Sequence, residues 1–356
     1  KIGDLIGGGT PSTKNEEFWN GNIPWISSSD LNENNIYDIS ISRFINEQAI
    51  KNSATKLIPN KSILIVSRVG VGKIAINNKP LCTSQDFQSL ILKKDNHIFL
   101  AYKIKNEIQK LIACNQGTSI KGFVKEDLSN LQIPLPPLKE QEKIAEILTT
   151  WDEAITKQTE LLEAKELQKK ALMQKLLSGE VRFSGFSDEW EEVRIDKLFD
   201  FKKGQELSKE KLEKNGIFEC ILYGELYTTY SEVISEIKSK TNIKEGIKSK
   251  IDDILIPAST TTSAIDLAIA STIQKDNVLI GGDINILRKK TNNINGEFIS
   301  KYLTHIKKME IAKYAQGITI IHLYSKDFKH LKIKLPSLPE QQKIAEVLSL
   351  ADDEIN

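Results

Sequence analysis

The chain has 356 residues, of which 40% are hydrophobic and 27% charged, and its formal net charge is +1 at pH 7. This length is enough for two domains of ordinary size, each with its own core. Because the net charge is so small, no whole-chain field attracts nucleic acid, and any contact with phosphate has to come from local basic patches.

Membrane and disulfide-rich proteins are disfavoured by the same sequence. No apolar run approaches the roughly 20 residues that cross a bilayer, and the first residues lack the basic-then-apolar layout of a secretory signal. Cys82, Cys114 and Cys220 form no CxxC pair, which argues against a disulfide framework and against a zinc site. We therefore expect a cytoplasmic protein with no membrane contact and with small buried thiols.

Residues 1–136 predict one compact domain that mixes strands and helices. SILIVS at 62–67 is a short β-branched run between turn residues, and residues 99–113 have helical apolar spacing. GGGTPS at 7–12 does not complete GxGxxG, so we interpret it as a turn. SRVGVGKIAI at 67–76 lacks the first glycine and the hydroxyl residue of a phosphate loop, so it predicts a flexible basic hairpin.

A spacer helix is predicted next, over residues 137–178. The stretch is rich in lysine and glutamate and contains no glycine or proline between about Lys139 and Leu177, which favours one uninterrupted helix. A polar linker at 179–189 then leads into a second domain, residues 190–336. The apolar residues of the helix have the spacing of a helix packed lengthwise along another: Ile144, Leu148, Trp151, Ile155 and Leu162.

Two stretches repeat each other at an interval of 200 residues. LPPLKEQEKIAEIL at 135–148 is matched by LPSLPEQQKIAEVL at 335–348, which indicates a tandem duplication. Residues 337–356 therefore predict a second, shorter spacer helix with a matching seam: Ile344, Leu348, Ala351 and Ile355. We expect the two helices to pack on each other; the alternative is that each is an ordinary amphipathic helix on its own core.

Weaker similarities extend the duplication upstream. DILIPA at 253–258 resembles SILIVS, and IDKL at 195–198 resembles IGDL at 2–5. Since the offsets fall below 200, the loops of the two copies differ in length. The predicted fold class is α+β, with two related mixed α/β domains separated by long helices.

Catalytic motifs are lacking. The four histidines, His97, His305, His322 and His330, show no metal-ligand spacing, and no GxSxG, HExxH or paired-carboxylate arrangement is present. Two diverged domains on a helical frame are typical of a molecule that recognises two different targets at a set distance. DNA is such a target, because half-sites on one face of the duplex lie about 34–36 Å apart per helical turn.

The duplicated segments resemble a known family. The two LPxLxEQ helix entries, each preceded by a QG pair, together with GGTPS and PWISSSDL (24–31), are similar to the specificity subunits of bacterial type I restriction-modification systems. The resemblance covers essentially the whole chain. It implies two target-recognition domains that each read half of a bipartite DNA sequence, and conserved helices that pack as an antiparallel coiled coil and set the unread spacer.

The resemblance also implies partners. The chain is expected to bind double-stranded DNA, without being an enzyme itself, and to act as a scaffold for two modification subunits. Those subunits carry S-adenosylmethionine and methylate adenine, and through them restriction subunits that use ATP and Mg²⁺ join the complex. No cofactor or metal is expected on this chain.

Base readout requires donors and acceptors that reach the floor of the major groove. We predict that a serine turn, the basic hairpin and a hydroxyl-rich run provide them. The candidates are Ser27, Ser28, Ser29, Arg68, Lys73 and Lys121 in the first domain, and Lys202, Lys203, Tyr223, Thr260, Thr261, Thr262 and Ser263 in the second. The QG segments at 116–121 and 316–322 are alike in both copies, which favours a shared structural or phosphate-binding role.

Two other functions are compatible with the sequence. A coiled-coil adaptor that binds only proteins suits the near-neutral charge and predicts no affinity for DNA. A nuclease is the second, with Asp86, Asp266 or Asp283 holding magnesium. Asp86 and Asp283 occupy corresponding places in the two copies, but residues that stabilise a turn would do so too.

Overall fold

The computed structural model describes residues 2–114, 122–205 and 207–355 of the chain. The chain divides into two compact units, Lys1–Thr159 and Glu160–Asn356. No helix among the described residues is long and apolar enough to cross a membrane.

Short strands and helices alternate along the first unit. Its strands are β1 (Gly3–Gly7), β2 (Ile23–Ile26), β3 (Arg43–Ile45), β4 (Leu57–Ile58), β5 (Ile63–Val66), β6 (Ile74–Ile76), β7 (Leu81–Thr83) and β8 (Phe87–Leu92). Its helices are α1 (Glu47–Lys51), α2 (His97–Cys114), α3 (Lys125–Ser129) and the beginning of α4 (Leu138–Ser178), which continues into the second unit; 3-10 turns lie at Glu16–Trp19 and Ser28–Asp30.

The second unit has a longer series of elements. Its strands are β9 (Glu191–Arg194), β10 (Phe199–Lys203), β11 (Phe218–Ile221), β12 (Val233–Ile234), β13 (Ser239–Thr241), β14 (Asp253–Pro257), β15 (Ser259–Thr260), β16 (Ser271–Ile273), β17 (Leu279–Ile280), β18 (Ile284–Lys289), β19 (Ile321–His322) and β20 (Lys332–Leu335). Its helices are α5 (Ile195–Leu198), α6 (Glu225–Thr228), α7 (Gly296–His305), α8 (Lys308–Ala312), α9 (Ser325–Phe328) and α10 (Leu338–Asp353), with a 3-10 turn at Lys209–Lys211.

Two four-stranded sheets form the frame of the first unit. One has the order β1-β8-β5-β6 and is antiparallel; the other has the order β3-β2-β7-β4, in which β2 and β7 are parallel. β5 is buried at every residue, as its unbroken ILIV run requires. The apolar face of α2, with Leu100, Ile104 and Ile108, covers the first sheet and closes the core.

Strand pairing shows that the second unit repeats the first. Its sheet contains β10-β18-β14-β16 in the order of β1-β8-β5-β6, with β12 added at one edge, and β11 and β17 are parallel. Ile63 lies opposite Leu90 in one unit and Ile254 opposite Leu287 in the other. The predicted fold class, two related mixed α/β domains with a long helix, is confirmed.

The strand register corrects one predicted similarity. The β1–β8 register pairs Gly3 with Leu92, and the β10–β18 register pairs Phe199 with Lys289. Gly3 and Phe199 are therefore equivalent, and the segment IGDL matches LFDF at 198–201. The predicted match with IDKL is wrong by three residues, because IDKL forms the separate helical turn α5.

A buried glutamine holds the same junction in both units. Gln341 Nε2 donates to the carbonyl oxygens of Pro336 (2.9 Å) and Asn293 (3.1 Å), and its Oε1 accepts from the Asn295 amide (2.9 Å). Gln141 makes two corresponding contacts in the first unit, with the Pro136 carbonyl (3.0 Å) and the Asn96 amide (3.0 Å), and its Nε2 donates to Asp95 Oδ1 (3.1 Å) as the third. The glutamine of the repeated phrase therefore ties the start of each spacer helix to the N-terminal end of α2 or α7.

The spacer helices meet within the second unit. α4 has 41 residues, which corresponds to a length of about 62 Å. α10 runs antiparallel to the C-terminal part of α4, because Lys165 Nζ lies 2.6 Å from Glu354 Oε2 and Lys169 Nζ lies 2.5 Å from Asp352 Oδ1.

The predicted apolar seam does not form one continuous contact. Ile144 packs against the core of the first unit, while Ile344 and Leu348 belong to the core of the second. Ala351 and Ile355 line a small cavity beside the C-terminal part of α4, and Leu148 is half-buried. The predicted packing is wrong for three residues of α4 whose side chains stay exposed: Trp151 (65% exposed), Ile155 (62%) and Leu162 (42%). They stay exposed because α10 packs on a later part of α4, near Lys165 and Lys169.

The last strand of the second unit belongs to a small two-stranded sheet. β20 pairs with β9, with Ile333 opposite Val193, and Trp190 meets Phe298 edge-on at 6.1 Å. In the first unit, a cavity of about 470 Å³ has Ile133 in its lining.

Candidate nucleic-acid interface

Several strands of the first unit end at one edge, and the loops that follow them lie side by side. β2 and β7 are parallel, and the Ser84 amide after β7 donates to the Ile26 carbonyl at the end of β2 (2.9 Å). The Ser67 amide after β5 donates to the Asp86 carbonyl (2.8 Å). We call this set of loops the first loop edge: residues 27–31, 67–73 and 84–86.

An equivalent edge exists in the second unit. The Ala258 amide after β14 donates to the Asp283 carbonyl (2.7 Å), as the matching residues do in the first unit. Tyr227 Oη donates to the Ser259 carbonyl (2.9 Å), and Lys203 Nζ lies 3.5 Å from Asp283 Oδ1. We call these loops the second loop edge: residues 203–205, 222–227, 258–266 and 281–283.

One glycine is required at each edge by close backbone approach. A Cβ on Gly8 would lie 2.0 Å from the Ser84 carbonyl oxygen, and a Cβ on Gly204 would lie 1.8 Å from the Gly281 carbonyl oxygen. The strand register places the two glycines at equivalent positions. Only glycine fits such an approach, so Gly8 and Gly204 have a structural role; the turn over residues 7–12 stays a prediction.

The predicted serine turn lies on the first loop edge, and its three serines differ in exposure. Ser28 is buried, Ser27 is half-buried and Ser29 is exposed. Arg43 Nη2 donates to Ser27 Oγ (2.7 Å), and the Ser27 amide donates to Asp30 Oδ2 (2.7 Å). Ser27 is therefore engaged in holding the turn, and Ser29 is the serine best placed to meet a ligand.

The predicted basic hairpin joins β5 to β6 on the same edge. Arg68 is exposed in its turn, where Gly70 has a φ of +80° that favours glycine. Lys73 folds back instead, and its Nζ donates to the carbonyl oxygens of Ser28 (3.4 Å) and Leu31 (3.1 Å). Lys73 thus joins the hairpin to the serine turn, while Arg68 is left accessible.

The hydroxyl run occupies the corresponding hairpin of the second unit, between β14 and β16. Thr260 is buried, and Thr261, Thr262 and Ser263 are exposed. Asp266 Oδ2 accepts from Thr262 Oγ1 (2.6 Å), Ser263 Oγ (2.7 Å) and the Ser263 amide (3.0 Å). The hydrogen bonds from Thr262 and Ser263 hold the pKa of Asp266 below its usual range.

The remaining candidates fall in different places. Tyr223 is 42% exposed on the second loop edge, and Lys203 lies there too, at the end of β10. Lys202 lines a cavity with Lys248 and Arg288. None of the residues that line this cavity belongs to the hydroxyl run. Lys121 lies outside the described residues. None of these positions by itself shows a contact with DNA, so the candidates stay predictions.

Sequence reasoning missed a polar and aromatic cluster beside the hydroxyl run. β15 pairs with β19, with Ser259 opposite His322, which brings the second QG segment to this edge. The His322 ring stacks on Tyr324 at 5.7 Å, and Lys326 Nζ lies 5.5 Å from the centre of the Tyr324 ring. No local pattern indicates this pairing, because the two strands are short and far apart in the sequence.

Arg43 is a second residue that the sequence pattern does not indicate. It lies opposite Trp25 in the β2–β3 pairing, with its guanidinium carbon 4.7 Å from the centre of that ring, and it also pairs with Asp30. Such stacking positions an arginine while leaving part of its fork free. Its side chain is 39% exposed, so it is a further candidate for contact with DNA on the first loop edge.

The described residues offer no metal centre, and the two cysteines whose side chains are described carry unreactive thiols. Among the described residues, no group of three His, Cys, Asp or Glu residues is arranged to hold a metal ion. The backbone carbonyls of Asp86 and Asp283 accept the hydrogen bonds given above, and Asp283 has a φ of +58°. Burial raises the pKa of the Cys82 thiol to about 12 and that of Cys220 to about 11, so both stay protonated.

A comparison with models of protein families identifies the family of this chain. The model described as "Type I restriction modification DNA specificity domain" matches residues 1–166 and, separately, residues 187–356. This chain belongs to that family. The resemblance inferred from the duplicated segments is confirmed, and the two matched regions correspond to the two repeats of the specificity-domain fold.

Curated members of the family align with one or both repeats. The type I restriction enzyme MjaIX specificity subunit of Methanocaldococcus jannaschii is 37% identical over 169 residues, 46% of this chain and 39% of that protein. The EcoR124I/EcoR124II specificity subunit of Escherichia coli is 35% identical over 160 residues, 43% and 39% respectively. The chain thus matches about two fifths of the length of these relatives.

A solved member of the family shares the fold over nearly the whole chain. The crystal structure of the type I restriction-modification S subunit from M. genitalium matches with a TM-score of 0.59 at 19% identity, over 99% of this chain and 88% of that one. This similarity supports the specificity-subunit fold, with two mixed α/β domains and long helices.

Proposed function

We propose that this chain is the DNA sequence-recognition subunit of a type I restriction-modification complex, in which each unit reads one half of a bipartite target. The observation that carries the proposal is the pair of loop edges. Their backbone contacts and required glycines recur in both units, whereas their exposed side chains differ. A repeated frame that carries different exposed groups suits the reading of two different half-sites.

In this proposal the chain also assembles the complex. Two modification subunits dock on the repeated helical frame, and restriction subunits join through them. Large apolar side chains exposed on α4, such as Trp151 and Ile155, support a protein-binding surface there. The modification subunits would supply S-adenosylmethionine and adenine methylation, and the restriction subunits ATP, Mg²⁺, translocation and cleavage, while this chain contributes recognition without catalysis.

Base-resolution adenine methylation across the host genome tests the proposal. It is compared between the parent strain, a strain without this gene, and that strain with the gene restored. We expect one split motif, with two short halves and a set gap, to lose methylation without the gene and to regain it on restoration. An unchanged methylation pattern in a strain with active modification subunits would contradict the proposal and favour the protein-binding adaptor.

A further inference from the structure

The hydroxyl run on the second loop edge is exposed at three of its four residues. Thr261, Thr262 and Ser263 are exposed in the loop after β15. Its counterpart in the first unit is the hairpin that exposes Arg68, because β14 and β16 are the equivalents of β5 and β6. The same position in the frame therefore carries a cationic donor in one unit and hydroxyl groups in the other.

Hydrogen-bond geometry decides which atoms these hydroxyls can offer. Asp266 is an acceptor when ionised, so the Oγ protons of Thr262 and Ser263 point towards its Oδ2. Because the Thr262 proton is used in this way, Thr260 is the donor in the 2.9 Å contact between the Oγ1 atoms of Thr260 and Thr262. Each of these protons is committed within the loop, so the exposed Thr262 and Ser263 hydroxyls can act towards a ligand only as acceptors.

The negative charge of Asp266 also favours contact with base amino groups over contact with phosphates. A carboxylate facing phosphates would be repelled, which makes Asp266 a poor residue for contact with the DNA backbone. A carboxylate or an acceptor oxygen facing base edges instead binds the amino group at N4 of cytosine or N6 of adenine. Lys203 on the same edge has an exposed side chain beside Asp283 and is the candidate for contact with the phosphates.

We propose that residues 260–266, which we call the acceptor loop, read an exocyclic amino group of cytosine or adenine in the second half-site. The inference rests on the proposed function and adds the chemical class of base that this loop selects. Asp266 acts as a positioning residue that orients the hydroxyl protons inwards. Guanine and thymine present acceptors at the corresponding position of the major groove, so this loop disfavours them.

The experiment combines base analogues with one substitution in the complex of this chain and its modification subunits. Each adenine or cytosine of the second half-site, except the methylated adenine, is replaced in turn by an analogue without the exocyclic amino group. For the wild-type complex we expect one such replacement to weaken binding roughly 10-fold, the effect of losing one specific base contact. The same replacement in the first half-site measures the background.

Asp266→Asn keeps the size of the side chain but adds an amide donor, so the sensitivity to that one analogue should disappear while recognition of the first half-site is retained. Asp200→Asn is the matched control, because Asp200 is an exposed carboxylate near the opposite end of β10 from Lys203; it should behave as wild type. The inference is overturned if no amino-group deletion in the second half-site weakens wild-type binding, or if Asp266→Asn keeps the full sensitivity. Absence of any split DNA target would instead contradict the proposed function.

Discussion

Single side chains distinguish the two loop edges, since their backbone frames match. Arg68 in the first unit and the hydroxyls around Asp266 in the second extend from equivalent hairpins. A guanidinium group matches the acceptors of guanine, whereas acceptor oxygens match amino groups. In the proposed function, a few exposed residues therefore distinguish the two half-sites, and the role of each residue can be tested separately.

Arg68→Ala should cost about 1–3 kcal/mol of binding free energy and relax the preference at one position of the first half-site. Because Arg68 is exposed, the melting temperature should hardly change. Lys79→Ala is the control, since it removes one positive charge from the exposed turn between β6 and β7. Binding assays on duplexes with single-base changes measure the effect, and equal affinities and preferences for the two variants would remove Arg68 from the readout.

Glu232 gives the second unit a predictable response to acid. A hydrogen bond from His305 (2.8 Å) lowers the pKa of Glu232 to about 2, from an ordinary value of 4.5. The folded state thus binds this proton more weakly than the unfolded state, and the difference contributes about 3 kcal/mol of stability above pH 5. That contribution is lost as the pH falls from 5 towards 2.

Glu232→Gln should therefore be less stable than wild type at pH 7, and the gap should close on acidification. Chemical unfolding at a series of pH values measures it. A gap that stays constant between pH 6 and pH 3 would show that the carboxylate is not responsible. Glu236→Gln, which changes an exposed glutamate of the same region, serves as the control.

At the scale of elements, the repeated glutamine joins a spacer helix to a recognition domain. The side chain of Gln341 is fully buried and makes three hydrogen bonds, whereas Gln342 beside it is exposed. Arg182 adds a bidentate pair with the buried Glu340 in the second unit (2.8 and 2.7 Å). The junction is therefore stabilised by polar contacts inside an apolar core.

Gln341→Ala should lower the free energy of unfolding of the second unit by about 2–3 kcal/mol, because it leaves buried partners without hydrogen bonds. Gln342→Ala, one position away and exposed, should change it by less than about 0.5 kcal/mol. Denaturant unfolding of the two variants gives the comparison. Equal stabilities would mean that water replaces the lost contacts and that the glutamine has another role.

Some of these elements were predictable from sequence, and others were not. The long helix follows from a stretch without glycine or proline that ends before Gly179, whose φ of +75° suits a helix end. Apolar spacing alone does not show which surface the helix covers: Ile144 has the spacing of a seam residue but packs on its own domain. The pairing of Ser259 with His322 had no local signal, because it depends on contacts between distant segments.

At the scale of the whole molecule, one helix passes from the first unit into the second. The duplication supplies two related frames, and α4 connects them without a glycine or proline within its 41 residues. In the proposed function this connection sets how many base pairs lie unread between the half-sites. Residues 153–164 are exposed on this helix, so its length can be changed there without disturbing a core.

Insertion of four residues after Gln158 lengthens the helix by about 6 Å, which corresponds to about two base pairs along the duplex. We expect the methylated motif to keep both half-sites and to acquire a longer gap, as read by base-resolution methylation of a strain that carries the variant. Replacement of residues 156–159 by four alanines is the control, because it changes the sequence of the same turn without changing its length, and its gap should stay at the wild-type value. Retention of the wild-type gap by the insertion variant would show that the spacing is set elsewhere in the complex. A changed half-site sequence in either variant would show that the change in the helix disturbs a recognition unit.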